Sequence, residues 1–555
     1  MGHFRRGAAA ESRGLSPAPS GEDSADTAAS PPAYLFVLLI GLVALAVSIG
    51  VALRLRVLGV GSLWLDELWT TDAVSRTFKE MIGARLVSDQ SPPLWTTSVW
   101  AWVRLTGTYS ASVLRTWPLV WGLIGIGAFI LGGSLLPRLR ATLMLTAAAL
   151  ALSLMAIQFS VELRPYSMSM ALVSAATVIW AGLLTGQIPA RGVWVFWFAL
   201  AGALAGFAHY YGNLPYLAEA TILVVWWFTT QRLRMAAIGA AWAGVSLVPV
   251  IAWIAATRRW FPDLAVAPPP SFDTIRAWLV EVLQPIPRLI DPILDGWWSS
   301  DRLLVLLVLV SFATGCVQLM RARRSGDRRG AVEAFLTVAA LTALVLAFAG
   351  AWIVSLIAPP SLNGRNAFIF LPLLLLGLAG AITAARRAWV RWAAASAAAA
   401  MLVAAMATAW FQWGTTELAP WWHREAGYAP AAQALLDIAT EEATPLFLGL
   451  EAPWRWHGDW DAILRSLQGS GPADESDPAP LPVTWLGTPA DFDARQLPEA
   501  SPIVLFTAYD AERFEVVLAA LEPSAGPCTV EQLGGPQFGV VHLAVCTGIG
   551  ERATP

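Results

Sequence analysis

The sequence predicts a polytopic α-helical membrane protein that ends in a small extracytoplasmic α/β domain. Three observations carry this expectation. Hydrophobic residues make up 56% of the 555 positions and charged residues only 14%, against roughly 25% charged in soluble domains. Apolar runs of about 20 residues, each long enough to cross about 30 Å of hydrocarbon as a helix, recur from Tyr34 to Trp410. From Thr415 onward the pattern changes, as hydrophobicity falls and Pro, Gly and Asp become frequent. The formal net charge of −3 identifies no partner, since a membrane protein sorts its charges by side, and nothing in the chain points to nucleic acid. The bilayer itself is the first partner, and the 29 Trp residues supply ample material for interfacial belts.

Taken in order, residues 1–33 are rich in Ala, Ser, Pro and Gly without periodicity and read as a disordered cytoplasmic tail. The first apolar run, Tyr34–Leu53, exceeds a signal-peptide core and lacks a small-residue cleavage site, so it reads as an uncleaved anchor. Further spans are expected at Trp117–Leu136, Ala141–Phe159, Tyr166–Leu184, Val193–Ala208 and Asn213–Thr230. Met235–Ala256, Leu303–Met320, Ala334–Ile357, Ala367–Ala385 and Trp392–Trp410 complete the set. Together these are about eleven spans within residues 34–411. The basic loops Pro137–Arg140, Gln231–Arg234, Arg321–Arg329 and Arg386–Arg391 all fall on one side if the N-terminus is cytoplasmic. This predicts a multi-pass cell-membrane protein with residues 412–555 outside.

The segment from Ser91 through Gly107 decides the parity. It is short, Trp-rich and carries Arg104, and counting it as a span would reverse every basic loop. It is therefore read as an interfacial or re-entrant helix, which makes residues 59–115 a long juxtamembrane loop on the outer face. Arg54 and Arg56 are expected to snorkel from the outer end of the first span or to meet an anion there.

That outer loop contains Asp66 and Glu67, flanked by Trp64 and Trp69. Carboxylates at a membrane edge must be solvated, paired or used. The same topology brings Glu162, Arg164 and Tyr166 (Ser160-Val161-Glu162-Leu163-Arg164-Pro165-Tyr166) to this side, with His209 and Tyr210 (His209-Tyr210-Tyr211-Gly212-Asn213) and Arg365 (Asn363-Gly364-Arg365-Asn366). Acids, guanidiniums and a histidine gathered beside acyl chains suit chemistry on a lipid-linked anion, because the planar guanidinium fork can bond two phosphate oxygens while staying charged. The bland readings are a helix cap for Asp66-Glu67, an interfacial ion pair for Glu162 and Arg164, an aromatic belt for His209 and the tyrosines, and a span anchor for Arg365. Glu219, within a span, reads as a hydrogen-bonding group to a neighbouring helix.

Several of these motifs occur together: Asp-Glu after the first span, Pro92-Pro93-Leu94 at a helix start, Glu162-x-Arg164-Pro165-Tyr166 after the third, His209-Tyr210-Tyr211, and Arg365 opening a span that contains Pro372. In order and sidedness the chain resembles the GT-C glycosyltransferases, in particular the dolichyl-phosphate-mannose-protein mannosyltransferase-like group that includes bacterial aminoarabinose transferases. The resemblance covers roughly residues 35–410. It implies a GT-C-like arrangement of spans and transfer of a sugar from a polyprenyl-phosphate donor to a glycan, lipid or protein acceptor. It also implies Asp66 as general base, Glu162 as the second outer-loop acid, and no nucleotide. Ser91 stands where many members have His, and Asp89 or His209 are the candidates to replace it. A divalent cation on Asp66, Glu67 and Glu162 is the less favoured reading, because a metal site wants more converging oxygens than the sequence places. Arg164 and Arg365 are the expected partners of the leaving phosphate. A lipid-linked sugar transporter or flippase, or a nonenzymatic envelope-assembly protein, is the alternative, although no internal repeat supports a transporter.

In the C-terminal domain, Pro445–Leu450, Val483–Gly487, Ile503–Ala508 and Gly539–Cys546 read as strands. Glu425–Thr440 and Asp510–Leu521 read as helices, and Trp421–Glu425 as an interface anchor. Cys528 and Cys546 suit a disulfide if this domain lies in an oxidising compartment, and Cys316 reads as a small buried hydrophobe.

Overall fold

A computed structural model describes residues 33–58, 65–88, 91–257, 271, 275–276, 278–279, 300–357 and 364–385. It also describes 446–449, 483–485, 503–507, 514–519, 527–533 and 541–546. The helical part opens with α1 (Ala33–Val57), followed by three shorter helices, α2 (Leu65–Ser75), α3 (Phe78–Ser88) and α4 (Leu94–Thr106). Next come α5 (Ala111–Leu135), α6 (Arg140–Leu152), α7 (Leu154–Phe159), α8 (Tyr166–Leu184) and α9 (Gly192–Ala208). A 3₁₀ turn (Tyr210–Gly212) leads into α10 (Asn213–Thr229) and α11 (Leu233–Thr257). Among the described residues the helices end with α12 (Ser300–Ser325), α13 (Arg328–Ile357), the short α14 (Gly364–Ala367) and α15 (Leu371–Ala384).

Seven of the described helical stretches are long and apolar enough to cross a membrane: Ile40–Val57, Ala111–Leu135, Tyr166–Leu184, Leu233–Thr257, Val305–Ser325, Gly330–Ser355 and Arg365–Ala384. Helix α9 is apolar but shorter. The expected span Trp392–Trp410, the tail 1–32, the helix Glu425–Thr440 and the anchor Trp421–Glu425 lie outside the described residues. The parity segment forms α4, whose 13 residues reach only about 20 Å, too short to cross. Gly107 stops it in the left-handed conformation (φ 68°), with its N–H donating to the Val103 carbonyl, a backbone setting that suits glycine.

The expected span Ala141–Phe159 is two helices rather than one. Ser153 adopts extended backbone (φ −62°, ψ 121°), ends α6, and caps α7 by accepting from the Ala156 N–H. A serine that competes for its own backbone favours such a break. Pro372 sits in the first turn of α15, where its missing N–H leaves no bond unmade.

Helix α8 is the axis of the bundle and is buried along most of its length. It packs against α5, where Gly125 brings the backbones so close that a Cβ would touch the Ala171 Cα at 3.3 Å. On its other side lies α9, whose Gly202 makes room for the Tyr216 ring and whose Gly206 makes room for Asn213. The packed interior includes Phe129, Trp180, Tyr216, Trp227, Phe368 and Phe370. Glu219 of α10 is buried and accepts a hydrogen bond from the Thr177 hydroxyl of α8 at 2.5 Å, so its partner is a neighbouring helix. Arg54 does not snorkel, contrary to expectation: its side chain is buried and bonded to backbone carbonyls, while Arg56 is exposed.

The C-terminal residues build a five-stranded sheet in the order β2-β1-β3-β5-β4, with β1 Leu446–Gly449, β2 Val483–Trp485, β3 Ile503–Thr507, β4 Cys528–Leu533 and β5 Val541–Cys546. Strand β1 pairs in parallel with β2 and β3, whereas β5 runs antiparallel to β3 and β4. Residues 514–519 are helical, inside the helix expected at Asp510–Leu521. Four strands fall where they were expected, and β4 was missed. It is an edge strand whose Thr529, Val530 and Glu531 are exposed, so it lacks a buried face to mark it in sequence.

Cys528 and Cys546 stand opposite each other in the β4–β5 register and are joined by a disulfide. The bond ties an edge strand to its neighbour across a separation of 18 residues, a loop for which the chain-entropy estimate is about 3 kcal/mol. Cys528→Ser is therefore expected to release β4. Limited proteolysis of the intact protein should cut residues 527–540 faster in the variant and in reduced wild type, with the helical part equally resistant in both.

Candidate active site

The expected site residues were scattered over loops, and the structure draws most of them to one end of the bundle. Glu67 is the organising acid. Its carboxylate is fully buried and accepts from Arg115 twice, from Nε to Oε1 at 3.0 Å and from Nη2 to Oε2 at 2.6 Å. Oε1 also accepts from the Leu163 N–H at 2.7 Å. One helical turn on, the Thr70 hydroxyl donates to the Leu163 carbonyl at 3.3 Å, and the Thr71 hydroxyl donates to the Glu67 carbonyl at 3.0 Å. Helix α2 is thus fastened to the start of α5 through Arg115 and to the 160–165 loop through Leu163. Asp66, the preceding residue in α2, is held in that backbone.

Two cations converge beneath α2. Arg85, in the last turn of α3, is buried, and Arg164 of the 160–165 loop is half-buried and near enough to act on it electrostatically. Burial first, then the Arg164 charge, pushes the Arg85 guanidinium down to about 9, while Asp72 and Tyr210 pull the other way. Two like charges within electrostatic reach of each other give this end of the bundle a positive character that suits an anion. His209 closes the same corner. Burial, and then the Arg164 charge, hold its imidazole down to about 3, opposed by a hydrogen bond with the Asn366 side chain. The ring is therefore neutral at ordinary pH. Its Nδ1 accepts from the Tyr211 N–H at 3.4 Å, which leaves Nε2 as the N–H donor. Tyr166 packs against His209 with ring centroids 5.2 Å apart and against Phe159 at 4.9 Å. Burial raises the Tyr210 phenol above its usual range.

Of the sequence-predicted residues, Glu67, Arg164, Tyr166, His209 and Tyr210 come together at this end. Glu162 is half-buried on the same loop, between the pinned Leu163 and Val161. Arg365 is half-buried at the head of α14, one residue before the Asn366 that bonds His209. Arg85 and Arg115 were not singled out from sequence. Both lie in the 59–115 loop, and a guanidinium matched to a particular buried acid cannot be recognised until the helices are placed. Among the described residues no three His, Cys, Asp or Glu side chains gather as a cation site requires, and Glu67 is already committed to Arg115.

No family model and no curated protein matches the chain. Its fold, a multi-pass helical bundle carrying juxtamembrane helices and a C-terminal sheet, is nonetheless of the GT-C type. Similar solved structures include ArnT from Cupriavidus metallidurans bound to undecaprenyl phosphate (16% identity, 91% of this chain and 98% of that one, TM-score 0.50) and its apo state (14%, 91% and 98%, 0.44). The archaeal oligosaccharyltransferase AglB from Archaeoglobus fulgidus, in complex with an inhibitory peptide and a dolichol-phosphate, is also similar (13%, 78% and 64%, 0.40).

Arg115→Met strands the Glu67 carboxylate in the interior and should cost about 3–5 kcal/mol, whereas Glu67→Leu with Arg115→Met should restore much of it. Thermal unfolding in detergent of both variants checks this. For His209 the native group binds its proton only near pH 3, and the unfolded group binds it near about 6.5. Between those values the unfolded state holds the extra proton, so stability is full above about pH 6.5 and falls as the pH drops. Unfolding midpoints measured from pH 7.5 to 5 should decline for wild type and flatten in His209→Gln.

Proposed function

We propose that the protein is an inverting glycosyltransferase that moves a sugar from a polyprenyl-phosphate donor to an acceptor hydroxyl on the outer face of the membrane. The observation that carries this reading is that α2, the helix that bears Asp66, is fastened through Glu67 and Thr70 to Leu163, the residue before Arg164. The fold shared with a protein solved with undecaprenyl phosphate supports it. The disulfide of the C-terminal sheet supports an outward-facing C-terminus.

In this reading the donor phosphate lies between Arg85 and Arg164, with Arg365 at the rim. Asp66 accepts the proton of the acceptor hydroxyl as that oxygen attacks the anomeric carbon. The bond from that carbon to the phosphate oxygen breaks on the opposite face, so configuration inverts and the lipid phosphate leaves with the electron pair. The two arginines, in a low-dielectric corner, meet the charge as it develops. Neutral His209 borders the site without adding a third positive charge. Tyr166 and Tyr210 form the apolar wall that keeps water from the sugar. Glu162, on the pinned loop, orients sugar hydroxyls. Glu67 serves the reaction by holding Leu163, and hence Arg164, in place. The two arginines carry the charge that a metal would otherwise balance.

The experiment is sugar transfer by the purified protein from a polyprenyl-phosphate donor, read as release of lipid phosphate. Asp66→Asn should lower turnover by about 10²–10⁴-fold, the worth of a positioned proton acceptor, with the fold retained. Arg85→Gln and Arg164→Gln should each weaken donor binding. Chelator treatment should leave wild-type turnover unchanged. Undiminished turnover in Asp66→Asn would sink the mechanism.

A further inference from the structure

Arg54 is a charged residue inside the membrane-length stretch Ile40–Val57, and nothing in the transfer chemistry described above uses it. Its guanidinium is fully buried and is aimed at the break between α6 and α7. Nη1 donates to the Ala151 carbonyl at 2.6 Å and to the Gly50 carbonyl at 2.9 Å, and Nη2 donates to the Leu150 carbonyl at 3.4 Å. Leu150 and Ala151 belong to the last turn of α6, whose carbonyls have no partners within the helix. In hydrocarbon those orphans are costly, and a cation at the negative end of a helix satisfies them.

The same guanidinium reaches across the break. Its Nε donates to the Ser160 hydroxyl at 3.2 Å, and that hydroxyl donates in turn to the Ala156 carbonyl of α7 at 2.5 Å. Arg54 therefore touches both sides of the discontinuity and ends on the first residue of the loop that carries Glu162 and Arg164. Two glycines show how closely the neighbours are drawn in. A Cβ at Gly50 of α1 would collide with the Ala151 carbonyl, and one at Gly122 of α5 would collide with the Ser160 hydroxyl. The loop is thus held at Ser160 from within the bundle and at Leu163 by Glu67 and Thr70 from α2.

We propose that Arg54 is a positioning residue for the transfer site: by bridging the α6–α7 break it sets the height of the 160–165 loop, and with it Glu162 and Arg164. The planar fork is essential, because only divergent donors can hold carbonyls on one side and a hydroxyl on the other. A lysine keeps the charge but offers a single point. The catalytic consequence rests on the glycosyltransferase reading, whereas the placement of the loop does not.

The test separates the two. In Arg54→Met, amide hydrogen exchange at residues 160–164 should rise by about tenfold, the size of one charge-assisted hydrogen bond lost, while α8 keeps its protection. The donor KM should rise by a similar factor with a smaller change in kcat. Arg54→Lys should regain thermal stability without regaining the donor KM. Ser160→Ala, which leaves the α6 carbonyls satisfied, should reproduce the local exchange even if Arg54→Met fails to fold. As a control, Thr142→Val removes the Thr142–Thr383 hydroxyl pair (2.8 Å) and should lower the melting temperature with loop exchange and donor KM unchanged. Wild-type exchange at 160–164 in Arg54→Lys and Ser160→Ala overturns the proposal, as does a KM that moves equally in the Thr142 control. Wild-type protein inert toward polyprenyl-phosphate sugars overturns the transfer reading instead, and loop exchange still decides the role of Arg54.

Discussion

A carboxylate with no access to water must find a cation and enough donors to replace its hydration, or it will not stay charged. Glu67 meets that constraint with Arg115 on both oxygens and the Leu163 N–H on one of them. Removing either partner would leave a bare charge in the interior, so the three groups are obliged to stay together. Because they come from α2, from the start of α5 and from the loop before α8, that obligation assembles the end of the bundle. The pair's net stabilisation is modest once desolvation is counted. Its contribution is specificity of placement.

Everything chemical at this end depends on that placement. Arg164 follows Leu163 directly, so the loop that Glu67 pins also sets the backbone position of that guanidinium. Burial and the Arg164 charge together hold His209 neutral. Arg54 fastens the opposite end of the same loop from inside the membrane-spanning part. A site held from above by an ion pair and from below by a guanidinium strut is preorganised, the condition under which fixed charges lower a barrier without first having to reorganise.

The fold was legible in proportion to how far it depends on local pattern. Apolar runs marked the long helices, and loop charge excluded residues 91–107 as a span, in keeping with the short α4. Alternation marked four of five strands. The break at Ser153 and the edge strand β4 were missed for related reasons. A serine in an apolar run is compatible with an unbroken helix until its neighbours supply partners for the freed carbonyls, and an exposed strand has no apolar face to show.

Residue by residue, the division is the same. The sequence alone determined that acids, arginines and a histidine lie beside the ends of membrane-length helices, because burial in hydrocarbon leaves such groups few other places. Family resemblance singled out Asp66 as the base but left Glu67 without a definite role, since its partner Arg115 lies 48 positions away. Tertiary structure decided that Glu67 turns inward to Arg115 and the Leu163 N–H, and that Arg54 bridges the helix break. Each of these is a contact between residues tens of positions apart. Coulomb and hydrogen-bond partners act through distance in space, and only the packed chain sets that distance.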